Sequence, residues 1–177
     1  MTRKENITIS QEDKKESEKI SQIINNIDNI NEYYINSESE IIYQKQPFLI
    51  SILLGYRLDL KEKELEEIMK IIFIIWEYFK NFDKIHKIKV SEKLFEKIQQ
   101  RNIHMLKYFE GESGQIAQNN VVEFDLRHLH SKALLSGIFF QFNQKKPLIE
   151  MNNEKKGIIL IGMKSLIECF DEINTKN

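Results

Sequence analysis

Apolar residues recur along this chain at three- and four-residue spacings, the period of an amphipathic helix and not the alternation of a half-buried strand. From about Gln11 to Tyr34 the isoleucines fall at 20, 23, 27 and 30, with Tyr34 next. That narrow stripe predicts a first helix. Its rhythm is that of a coiled-coil seam, but it lasts barely two heptads, so it predicts a helix packed on its own domain. Asn25, Asn26, Asn29 and Asn31 are poor helix formers, and packing must hold this element. The polar "SESE" at 37–40 reads as its end.

Pro47 suits the first turn of a second helix running to about Arg57. The charged "DLKEKE" leads into a third, roughly 61–81, whose second half is apolar on every side and therefore reads as buried. "NFDKIHKIK" reads as a connection. Ser91 is the expected N-cap of a fourth helix ending near Glu110, with Gly111 just beyond it. The turn-rich loop "GESGQIAQNN" spans 111–120, and a fifth helix over about 121–144 and a sixth over about 154–173 follow, separated by "KKPLIEMNN".

The fold class expected is all-α. Residues 1–11 read as a disordered polar tail and 12–177 as one bundle of about six helices centred on 61–81, 133–144 and 157–173. "FLISILLGYR" (48–57) echoes "ALLSGIFFQF" (133–142), and each precedes another apolar stretch, "IIWEYF" or "LIECF". A duplicated helical hairpin would leave this echo, and so would two unrelated apolar hairpins. Only six glycines and two prolines punctuate 177 residues, too few for a protein of tight β-turns.

Composition narrows the function classes. Lys plus Arg number 26 against 27 for Asp plus Glu, so no net field gathers nucleic acid or an anionic membrane. The only arginines are Arg3, Arg57, Arg101 and Arg127, which leaves few forks for phosphate or base edges. Cys169 is the single cysteine and excludes an internal disulfide. The N-terminus has no apolar core of a secretory signal, and "IIFIIW" at 71–76 is far below the ~18 residues of a membrane span. These features predict a soluble cytoplasmic protein.

Candidate chemistry concentrates in "EFDLRHLHSK", 123–132. On a helix, Val122, Leu126, Leu129, Ala133 and Phe140 share one face, and Phe140, like Trp76, is expected to be buried, while His128 and His130 point to nearly opposite sides and cannot chelate one ion together. Glu123 and Arg127, at i,i+4, form a surface pair. Asp125 and His128 are spaced D-x-x-H, and Asp83 and His86 repeat that spacing; paired carboxylate-x-x-histidine motifs build the di-metal sites of four-helix bundles. Here Asp replaces the usual Glu, and Asp83 lies in an expected connection.

Other constellations are weaker. "GESGQ" lacks the final glycine of a nucleophile elbow, since Gln115 stands there, and no strand precedes it. Cys169, among Leu166, Ile167, Phe170 and Ile173, reads as core. His104, Trp76, Tyr78 and Phe79 read as helix packing, and no motif calls for a cofactor. The chain is thus expected to be a non-enzymatic helical module that binds another protein or itself, with Glu123, Arg127, His130 and the 111–120 loop as contact candidates. The alternative is a metal-dependent helical enzyme using Asp125 and His128, with Asp83 and His86 as further ligands.

Overall fold

The computed structural model describes residues 11–111 and 129–176, and among them every regular element is an α-helix. At the centre is α4 (Glu62–Phe79). Its first turn carries Glu62 and Glu64, which suit the positive end of the helix dipole, and the Glu64 carboxylate accepts the Lys61 N–H at 2.9 Å. Its second half buries Ile71 through Trp76, then Tyr78 and Phe79. So many β-branched residues gain little from helix propensity, and burial is what holds them helical.

Around α4 pack α1 (Gln11–Asp28), α3 (Pro47–Tyr56), α7 (Lys132–Gln144), the single turn α8 (Lys146–Ile149) and α9 (Asn153–Thr175). Helix α9 lies in turn against α6 (Glu92–Gly111), in the most extensive helix pairing of the fold, and against α5 (Asp83–Lys87). Phe79 of α4 stacks on Phe170 of α9 with centroids 4.9 Å apart. Helix α2 (Glu32–Lys45) packs on α3 and α5. Among the described residues no helix is long and apolar enough to cross a membrane.

Capping chemistry sets several boundaries. Ser91 Oγ accepts the Leu94 N–H at 3.2 Å, as expected for the N-cap of α6, and Asn152 caps α9 through the N–H groups of Glu154 and Lys155. Between α2 and α3 the fully buried Gln46 ties down the segment beyond α5. Its amide donates to the carbonyls of Ile85 (2.6 Å) and Ile88 (2.8 Å), and its oxygen accepts the Val90 N–H at 2.9 Å.

The architecture departs from the sequence reading in three places. The expected helix 11–34 divides at Asn29–Asn31, because Asn31 accepts the Tyr34 N–H at 2.9 Å and caps a new helix. The "SESE" stretch lies inside that helix; Glu38 is held there by the Trp76 indole N–H at 2.8 Å. Two stretches read as connections contain the short α5 and α8, so nine helices stand among the described residues instead of six.

The third departure concerns residues 121–144. Leu129–Ser131 are not helical, and the helix starts only at Lys132. This resets the phase: Leu134, Leu135, Ile138 and Phe142 face the core, while Phe140 is 57% exposed. The expected burial of Phe140 is therefore wrong, since a face projected from Leu129 does not continue through the break. Trp76 is fully buried, as expected.

Candidate functional site

Of the contact candidates, Glu123 and Arg127 lie outside the described residues, as do positions 112–120 of the loop. His130 is described. It is exposed, but it precedes α7 instead of standing on its outer face, and its backbone N–H donates to Asp171. In the metal alternative, Asp125 and His128 also fall outside the described residues. Asp83 and His86 sit together on α5, both exposed. His86 Nε2 is in hydrogen-bond contact with the Lys80 carbonyl, and its ring meets Trp76 edge-on. Among the described residues no group of three or more His, Cys, Asp or Glu side chains converges as a metal ion would need.

Two buried carboxylates of α9 organise the polar interior. Glu168 receives Asn102 Nδ2 at 2.6 Å, Lys164 Nζ at 2.9 Å and Arg101 Nη2 at 3.1 Å, while Asn102 also donates to Ser165 Oγ. One helical turn on, Asp171 accepts the N–H groups of His130 and Ser131, each at 2.9 Å, and the Ser131 hydroxyl at 2.6 Å. Each carboxylate is thus satisfied by several donors, the condition under which a buried charge is tolerated. Their work is positional: Glu168 joins α6 to α9, and Asp171 fixes the backbone that leads into α7. Ser131, Ser165 and Asn102 are all buried beside them, away from any substrate in solvent. Cys169 is fully buried, and burial pushes its thiol up to about 12, so it stays protonated and unreactive at neutral pH.

The end of α1 is bound to this interior by Glu16, which accepts the Tyr78 hydroxyl at 2.5 Å. Lys19 Nζ stands 4.7 Å from the Tyr78 ring centroid. At the other end Lys145 pairs with Asp28 at 2.7 Å. Gly137 lets α1 approach α7: a Cβ there would lie 2.8 Å from Ile20 Cγ2.

The two helices leave an open groove of about 630 Å³ between them. Ile20 and Ile24 form one wall, Ala133, Gly137 and Phe140 the other, and Gln141 lies at its floor. Its hydrophilic margin is Ser17, Ser21, Asn25 and Ser136, with Lys132 as the single charged residue. A smaller cleft of about 290 Å³ lies at the α1–α2 junction, where Tyr34, Glu77 and Lys80 bond to one another and so have no group directed at a ligand. A third, of about 440 Å³, mixes Lys61, Lys63 and Lys146 with Glu64 and Glu150.

The groove was missed by the sequence reading, which had no means to juxtapose residues 17–25 with 132–141. One signal was available for the buried carboxylates: Glu168 and Asp171 interrupt the apolar run around "LIECF", where a charge must have partners. Comparison with protein-family models, with curated proteins and with solved structures finds no match to this chain.

Proposed function

We propose that this protein is a non-enzymatic helical interaction module that works by binding protein through the α1–α7 face. One observation carries the reading: Phe140, on a helix whose opposite face packs in the core, stands 57% exposed on the wall of an open, mainly apolar groove. A single exposed apolar residue is ordinary, but a large aromatic at a concave, weakly charged surface is the usual anchor of a protein contact. A groove between two helices takes an amphipathic helix, which adds apolar anchors without needing charge.

The same proposal places the protein in the cytoplasm, on its lone buried thiol, and assigns it no nucleic acid, on its balanced charge and four arginines. It treats α3–α4 and α7–α9 as two related helical hairpins, in keeping with their sequence echo and with the packing of each pair. His130 borders α7 and stays a contact candidate with Glu123 and Arg127. The test is affinity capture from the native cell with the full chain and with Phe140→Glu. A protein recovered in fixed ratio by the native chain and lost with the variant is expected. Recovery of the same proteins by both would refute the assignment.

A further inference from the structure

Resting on that reading for its purpose, we infer that α1 is a releasable helix: it leaves its seat on α4 and α7 while the rest of the chain stays folded, and the seat then accepts a partner's amphipathic helix of the same pattern. The hold of α1 on the core is slight. Both α1 and α4 are 18 residues long, yet α4 buries ten of its residues, whereas among the described residues of α1 only Ile20 and Ile27 are buried. Ile23 and Ile24 are half-buried. Asn25 and Asn26 are poor helix formers, so it is packing of this stripe that keeps α1 helical. Elements with few buried apolar contacts open first.

The link to α2 marks where the fold parts. Helix α1 packs on α4 and α7, while α2 is seated separately on α3 and α5. Helix α2 takes its N-cap from Asn31, inside the link, and is pinned to α4 by Glu38 on the Trp76 indole and by the Tyr34 hydroxyl on Glu77. None of these bonds involves α1. A hinge at residues 29–31 therefore frees α1 without uncapping or unseating α2.

The seat itself is selective. Gly137 forms a notch in α7 that takes two isoleucines one turn apart: a Cβ there would lie 2.8 Å from Ile20 Cγ2 and 3.5 Å from Ile24 Cδ1. One turn before Ile20, Glu16 accepts the Tyr78 hydroxyl of α4. A helix that replaces α1 thus carries a carboxylate at position i and β-branched apolar residues at i+4 and i+8. It carries a further apolar residue at i+11, where Ile27 is buried. The partner's chemistry is that of an amphipathic helix headed by an acidic residue.

Two measurements on the full chain test this together: hydrogen exchange read by mass spectrometry, and fluorescence anisotropy of a labelled synthetic peptide of residues 11–31. The α1 amides should be protected, but at least about 100-fold less than those of α4 and α9. The peptide should bind saturably, and its Ile20→Asp version should not bind. Ile20→Ala in the chain loosens α1 and leaves the α4–α7 seat as it is; Glu16→Ala, at a half-buried position, is the milder variant. Both should speed α1 exchange, Ile20→Ala by at least about tenfold. Peptide affinity should rise by the same factor in each, because apparent affinity scales with the fraction of chains whose seat is open. Protection of α1 equal to that of α4 would overturn the inference, as would no protection in α1 at all. Failure of the peptide to bind any of the three chains, or affinity that does not follow exchange, would equally overturn it. None of these results decides the capture experiment with Phe140→Glu, which judges the interaction reading separately.

Discussion

Gly162 of α9 faces the Tyr56 side chain of α3, and a pair of substitutions there tests the packing atom by atom. A Cβ built at Gly162 falls 2.1 Å from the Tyr56 hydroxyl oxygen and 3.4 Å from the Tyr56 ring carbon that carries it. The first distance is a severe overlap, while the second is an ordinary contact. Overpacking of this kind costs about 1–3 kcal/mol, whereas alanine gains about 1 kcal/mol over glycine within a helix. Gly162→Ala alone should therefore lower stability by about 1 kcal/mol. The Tyr56 hydroxyl has no hydrogen-bond partner among the described residues, and burial pushes its pKa up to about 12, so Tyr56→Phe removes little. In that background the overlap is gone and only the helix gain remains, so Gly162→Ala should raise stability by about 1 kcal/mol. The sign reversal is a coupling of about 2 kcal/mol, readable from urea melts of the four proteins with unchanged slopes. Equal destabilisation in both backgrounds would refute the reasoning, because the obstacle would then not be the hydroxyl.

Circular dichroism should report a helical protein without a strand component, since 84% of the described residues are helical and none is in a strand. A strand signal above about 10% would contradict the fold. Gln46→Leu leaves two buried backbone groups, the Ile85 carbonyl and the Val90 N–H, and the part-buried Ile88 carbonyl without this partner, and should destabilise by about 2–3 kcal/mol or more, measured by denaturant melts; a loss below about 1 kcal/mol would mean that water replaces the amide. Phe140→Ala should change monomer stability by less than about 1 kcal/mol, whereas Ile138→Ala, fully buried on the same helix, should cost about 2–5 kcal/mol, and similar values would return Phe140 to the core. Cys169 titrates near pH 9 when unfolded and near 12 when folded, so the neutral thiol favours the folded state and its contribution is lost as pH rises through that window. The slope from this group is about 1.4 kcal/mol per pH unit; Cys169→Ala should remove it from the alkaline unfolding profile, and an unchanged profile would contradict the burial.

What could be read from the chain was its period. With so few glycines and prolines, and isoleucines at 3-4 spacing, the helical class and the long α4, α6 and α9 followed directly, as did the start of α3 at Pro47 and the cap at Ser91. The misplaced break after α1 has a local cause. Serines and glutamates at 37–40 resemble a loop by composition, yet Glu38 is held by Trp76, thirty-eight residues away, and Asn31 competes successfully as a cap. Helices as short as α5 and α8 complete too few turns to show a period. The fate of Phe140 hinged on a break before Lys132 that is imposed by Asp171, a residue forty positions distant. Nothing near Ser131 in sequence marks it. The groove, likewise, is a product of two helices meeting, and only its residues taken separately were legible.

The central claim is that the α1–α7 face meets protein, and a photo-crosslinking amino acid placed at position 140 of the full chain in its native cell tests it most directly. Tyr43, 68% exposed on α2 and away from the groove, supplies the control position. The account predicts a discrete adduct from position 140 and none of that mass from position 43, with an adduct of twice the 21.2 kDa chain if the partner is a second copy. No adduct at 140, or the same adducts from both positions, would contradict it.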